Sequence, residues 1–383
     1  MSLPSVNRRF SLSKAMRRTP RSLRKAQPHA KRLTSRLKVP AFILSTALAL
    51  ALPQFSEATI YAWDPNPDPA YGGSGIWDIA SSFWDDNVDG GTKVPWINSL
   101  ANTALFLGTP GTVTLAQPIV ANQLVFNVEG YTLSNGGNAA NTLTFAGPGG
   151  TPGVLGTAGI TLDYAPTPTN SLTIGLSFLG SNGFVKDGTG TLVLTRTDNT
   201  YSGVTRVSGG VLEVASIANL GLPSSIGIGA NTGGRADPDN AYITLDGGTL
   251  RYTGNGASTN QVFLLTQQGG ALDSSGSGAS LAFSTTSGGI FYDGNGARTL
   301  TLTGTNLGLN NIATPLGDNF NDSTSLVKDG SGSWLITNLN NYSGSTTIKG
   351  GLLSVLFLAG SLQESGIGAS ASTADNLVLD GGT

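Results

Sequence analysis

The sequence predicts an all-β chain wound as a right-handed parallel β-helix. Three features carry that prediction: a stretch that is written twice, strands that alternate apolar and polar residues, and frequent glycine turns. Val185-Lys186-Asp187-Gly188-Thr189-Gly190-Thr191-Leu192-Val193-Leu194, followed by Tyr201-Ser202-Gly203 and Gly209-Gly210-Val211-Leu212, returns as Val327-Lys328-Asp329-Gly330-Ser331-Gly332-Ser333-Trp334-Leu335-Ile336, Tyr342-Ser343-Gly344 and Gly350-Gly351-Leu352-Leu353. Repetition of this kind marks units that cannot bury their own apolar faces and therefore stack on their neighbours.

The strands follow from periodicity. Thr191 to Thr195, Tyr242 to Leu245 and Thr299 to Thr303 each set aliphatic side chains on one face and mostly Thr or Tyr on the other, the pattern of a strand with one face in a core. Gly209-Gly210, Asp246-Gly247 and Gly350-Gly351 close them, as turn chemistry requires. Gly227-Ile228-Gly229 returns as Gly366-Ile367-Gly368, and Leu245 to Thr249 returns as Leu379 to Thr383, so the macro-unit is about 140 residues. Leu192 and Leu212 stand 20 residues apart, a spacing that suits successive coils. Tandem β-sandwiches are the alternative, because antiparallel hairpins produce the same spacing.

Residues 1–58 read as a signal peptide with an extended basic first region. Twelve of the 21 Lys and Arg residues lie between Arg8 and Lys38, Val39 to Leu52 is apolar, and Ser56-Glu57-Ala58 offers a cleavage site. A helix of those apolar residues spans only about 21 Å, short of the ~30 Å hydrocarbon core, so a cleaved leader is favoured over a retained anchor. Met1 and Met16 are both candidate starts.

Residues 59–180 form a lead-in part of the solenoid, with Trp63, Trp77, Trp84, Trp96, Tyr61 and Tyr71 gathered in it. Bulky aromatics cover an open core well, and that reading outweighs a platform that stacks on sugar rings. Residues 181–383 form the β-strand repeat region, expected to be cut in mid-repeat at Asp380-Gly381-Gly382-Thr383.

Composition narrows the chemistry. Glycine reaches 54 of 383 residues and cysteine is absent, which removes disulfides, zinc–thiolate sites and thiol nucleophiles. After Ala58 the chain keeps nine of its 21 basic and 22 of its 23 acidic residues, a net of −13, so no nucleic-acid partner is expected. His29 is the sole histidine and lies in the leader, leaving the mature chain without a histidine base or a Ser-His-Asp triad.

Catalysis therefore needs carboxylates, and Asp85, Asp86 and Asp89, or Asp237 and Asp239, are the places to look. Both clusters adjoin Gly, Asn or Pro, where Asp commonly serves turns. Asp85-Asp86-Asn87-Val88-Asp89-Gly90 also fits the first half of a calcium loop, but Trp96 stands where the twelfth-position Glu belongs. Gly188-Thr189-Gly190 opens a strand and lacks the helix that a nucleotide loop requires. No catalytic, cofactor-binding or metal-binding residue is therefore assigned, and no cofactor is expected.

Lys186 to Leu194, Asn199-Thr200-Tyr201-Ser202-Gly203, Thr205 and Gly209 to Val214, with the second copy from Val327 to Val355, resemble the autotransporter-associated β-strand repeat of large exported bacterial proteins. Gly73-Ser74-Gly75-Ile76-Trp77-Asp78, Trp84 and Asn102 to Phe106 are similar to the usual lead-in of such proteins. The resemblance implies a β-helical passenger at the cell surface or released, and it brings no catalytic residues. The leading expectation is a structural or adhesive surface protein, with surface glycans or other cells as partners. Membrane contact is expected only through the cleaved leader or an anchor beyond Thr383. The alternative is a secreted β-helix polysaccharide lyase or glycoside hydrolase that uses acidic residues.

Overall fold

The computed structural model describes residues 59–66, 71–88, 90–145, 159–162, 171–175, 178–179, 183–229, 243–286 and 290–383. These residues wind as a parallel β-helix whose coils have three sides. Every strand pair among them is parallel except those made by the hairpin of Trp84–Asp85 and Lys93–Val94, which lies antiparallel on the edge of Ile60–Trp63. Parallel pairing throughout the repeat region excludes tandem sandwiches, which are built from antiparallel neighbours.

The first side is an 11-stranded sheet that includes this hairpin, and the second is a 12-stranded sheet running from Gly75–Trp77 to Leu377–Leu379. The third side carries a three-stranded sheet early in the chain and a five-stranded one from Ala257–Thr259 to Leu352–Val355. At about 4.8 Å per step, the 12 strands of the second sheet advance about 53 Å along the coil axis.

Alternation decides which side chains enter the core. Along Arg298–Thr303 each second residue is buried, and Thr191–Leu194 and Val211–Val214 bury their leucines and Val214 in the same manner. The register stacks equivalents. Leu192 sits beside Leu212, then Leu250, Leu272 and Leu302 follow in one interior column. Each leucine is at most 2% exposed, and burial of this kind contributes about 1.5–3 kcal/mol per side chain.

Two lysines interrupt such columns. Lys328 follows Leu302 and precedes Ile348 on the second side, while Lys186 stands beside Val207 on the first. Both side chains are fully buried. Lys186 Nζ donates to the carbonyls of Asp187, Gly188 and Gly209 at 2.9, 2.8 and 2.9 Å. Lys328 Nζ donates to those of Asp329, Gly330 and Gly350 at 2.6, 2.9 and 2.9 Å. Each ammonium thus pins a corner of its own coil to the corner of the next, and its three donors match three acceptors.

The two copies of the motif do not occupy the same sides. Phe184–Gly188 and Thr191–Leu194 belong to the first and second sides, whereas Thr324–Lys328 and Ser333–Ile336 belong to the second and third. The first side receives Phe184–Gly188, Thr205–Val207, Ile243–Leu245, Phe263–Thr266 and Phe291–Asp293 in turn. Residues 313–323 then cover it without a strand: Ile290 N–H donates to Pro315 O at 3.2 Å, and Tyr292 Oη donates to Gly317 O at 2.7 Å. The chain therefore enters its second motif one side further round.

At the beginning of the described chain, Trp63, Trp77, Trp84 and Trp96 are all at most 1% exposed. Trp77, Trp84 and Trp96 meet with ring centroids 4.8–5.1 Å apart, and Trp63 joins Trp84 at 5.0 Å. Phe106 and Phe126 continue the column with stacked rings at 4.4 Å. Aromatic packing of this density removes these tryptophans as a platform for sugars.

Candidate functional site

The outward positions of the second sheet build one open groove. Leu212, Leu250 and Leu272 point inward, so the next residue on each strand, Glu213, Arg251 and Asp273, points outward. Register places these three on consecutive rungs, with Thr303 on the next. The groove over this ladder has a volume of about 470 Å³, and Thr253, Ser275, Gly304, Thr305 and Gly330 complete its lining.

Arg251 holds the ladder together. Its Nε lies 2.8 Å from Asp273 Oδ2, and its Nη1 lies 3.5 Å from Glu213 Oε2. Burial works against the guanidinium charge, but the Asp273 and Glu213 carboxylates outweigh it and raise Arg251 above its ordinary range. Asp273 is buried and also accepts from Ser275 Oγ at 2.5 Å. The two carboxylates that converge in the groove are therefore both partners of one guanidinium. Sequence reasoning missed this trio; the signal was a charged residue directly after an inward leucine on three successive coils, legible only with the register known.

The acidic candidates do something else. Asp85 accepts from Tyr71 Oη at 3.1 Å and from Asn87 N–H at 2.9 Å, and Asp86 accepts from Thr92 N–H at 2.8 Å. The bonds from Asn87 and Thr92 are turn bonds, the common use of Asp beside Asn and Gly, and the bond from Tyr71 ties that turn to a distant segment. Burial, first, and the Asp85 carboxylate, second, raise Tyr71 above its ordinary range. At the twelfth position, Trp96 points its indole N–H at Asn98 Oδ1 and Val120 O, at 3.1 and 3.2 Å. Among the described residues, no group of three or more His, Cys, Asp and Glu is placed to hold a metal. Asp89, Asp237, Asp239 and His29 lie outside the described residues.

The repeated motif has a second conserved-in-shape contact, which is internal. Tyr201 and Thr205 share a hydroxyl bond at 2.5 Å, and Tyr342 and Thr346 share one at 2.6 Å. Beside each tyrosine runs a glycine at positive φ, Gly227 or Gly368, where a Cβ would sit within 3 Å of the ring. Two copies that agree in a buried lysine, a tyrosine–threonine pair and a glycine against the ring share one folding unit.

Comparison with known proteins agrees with this unit. Residues 184–214 and 326–355 match the passenger-associated-transport-repeat family. Over 255 residues, 66% of its length, the chain is also 39% identical to the adhesin BmaC autotransporter of Brucella suis biovar 1 (strain 1330). The chain carries two passenger-associated-transport repeats and is similar to an autotransporter adhesin. As such it is exported, and its place is the cell surface or beyond. It spans about 7% of the length of that relative. No solved structure matches it.

Proposed function

We propose that this passenger stretch is a non-catalytic, adhesive surface element. The observation that carries the reading is the state of the groove: Glu213 and Asp273, the carboxylates that converge, both engage Arg251. A glycosidase or lyase needs a carboxylate poised to exchange a proton with substrate, and these two face a fixed cation instead. The relative's name describes an adhesin, which supports the same direction. In this reading residues 1–58 serve as the export leader, 59–180 as the start of the solenoid, and 181–383 as the repeat region that faces host or surface targets.

Beads coated with the purified chain, compared with beads carrying an unrelated acidic protein, test adhesion directly. Adhesion to a cell panel above that control supports the reading. Release of reducing or unsaturated sugar from a panel of neutral and acidic polysaccharides would overturn its non-catalytic part and favour the lyase or hydrolase alternative.

A further inference from the structure

We propose that the groove over Glu213, Arg251 and Asp273 is a binding site for a neutral oligosaccharide laid along the coil axis. The inference rests on the adhesive reading and names a site and a ligand class for it. The groove holds about 470 Å³ and lies open to solvent, the form of a surface that takes an extended chain and not an enclosed small molecule.

The chemistry of the lining selects a polyol. Glu213 engages Arg251 through Oε2 at 3.5 Å while its side chain stays 26% exposed, so the carboxylate keeps further lone pairs that accept from hydroxyl groups. Arg251 uses Nε on Asp273, and its guanidinium, about a third exposed beside Glu213, carries further N–H donors. An acceptor and a donor side by side match a vicinal diol, which offers both functions on adjacent carbons. Thr253, Ser275, Thr303 and Thr305 add hydroxyls that donate or accept.

Geometry sets the direction. Rungs of a parallel sheet repeat about every 4.8 Å, so Glu213, Arg251, Asp273 and Thr303 stand one per step in a line, with Asp273 buried beneath its bonds to Arg251 and Ser275. That step is close to the length of one sugar ring, and a chain of rings lying along the axis meets a polar group at each. Gly304 and Gly330 form part of the groove edge, where their bare Cα atoms let adjacent coils pack backbone to backbone. Two carboxylates against one guanidinium leave a local charge of −1, which disfavours uronic and sialic acids.

Titration calorimetry of the full chain tests the site, using maltohexaose, cellohexaose and hexa-N-acetylchitohexaose, their trisaccharides, and hexagalacturonate. The expected result is that at least one neutral hexasaccharide binds about tenfold more tightly than its trisaccharide. Glu213→Gln and the double variant Thr303→Val/Thr305→Val should each weaken it at least tenfold. Both variants keep side-chain size, at Glu213 and Thr303 on strands and at Thr305 in the bend that follows, and unchanged circular dichroism verifies their fold. Absence of binding by all three neutral hexasaccharides, binding untouched by both variants, or preference for hexagalacturonate overturns the proposal. The two readings fail separately: sugar binding lost in the variants while wild-type beads do not adhere leaves the groove standing without the adhesive role, and adhesion without any sugar binding does the reverse.

Discussion

Lys186 and Lys328 make the same three carbonyl bonds from two different sides of the coil. The lysine therefore belongs to the motif and not to a face of the solenoid. It carries its corner with it, because the acceptors at Asp187, Gly188 and Gly209, or at Asp329, Gly330 and Gly350, come from the motif's own turns.

Replacing Lys186 by Met removes the cation and strands three corner carbonyls. A loss on the order of 2–4 kcal/mol is expected for the coils around residues 184–214, because buried acceptors left unpaired cost more than the bonds contribute. Hydrogen exchange should report the loss near Val207 and Leu212 and leave Ile60 to Trp63 unchanged, since a solenoid transmits little beyond nearest neighbours. Uniform loss along the chain would contradict the corner role.

The same lysine predicts a pH dependence. Burial pushes Lys186 down to about 8 from the ordinary 10.5, with Asp187 acting in the opposite direction, and burial lowers Lys328 as well. Between about 8 and 10.5 the unfolded chain holds a proton that the folded chain has released, so stability rises with pH across that window. Denaturant titrations at the two ends of the window should show this rise in the wild type and a smaller one in Lys186→Met. Equal slopes in both would refute it.

Two exposed residues sit in a left-handed backbone that suits neither. Phe320 has φ of 55° and is 97% exposed, and Leu362 has φ of 63°. Three residues before the turn serine, where the second copy has Leu362, the first has Gly221 with φ of 83°. Phe320→Asn and Leu362→Gly should each stabilise by about 1 kcal/mol, since asparagine and glycine accept this region readily. Thermal melts that fall instead of rising would mean that these side chains make stabilising contacts.

Trp84→Ala tests the closed beginning of the core. Removing a fully buried indole from among Trp63, Trp77 and Trp96 should cost about 3–5 kcal/mol. Exchange protection should collapse over residues 60–126 and persist from Thr324 onward. Tryptophan fluorescence should shift to the red as the remaining rings meet water.

Much of the fold was legible because the pattern is local. The alternation at Thr191 to Leu194 and Thr299 to Thr303 marks strands wherever they pair, and the distance of 20 residues from Leu192 to Leu212 matched one coil, in register. The Trp-rich stretch read as core cover, and its rings are buried. The groove was not legible. Glu213, Arg251 and Asp273 are separated by 38 and 22 residues, gaps that give no hint of adjacency until the coils between them are laid down.

By itself, the sequence determined that the chain is built of stacked, alternating strands and that residues 59–383 lack histidine and cysteine chemistry. Those facts follow from periodicity and composition, which do not depend on what a residue touches. Only the tertiary structure decided which side of the coil each motif occupies, that Lys186 and Lys328 are interior, and that three charged residues share one groove. Side and burial are sums over every preceding turn and loop: strands keep their sheets across residues 313–323, which cover the first side without a strand, and the second motif begins on the second side. No local pattern within the second motif carries that sum.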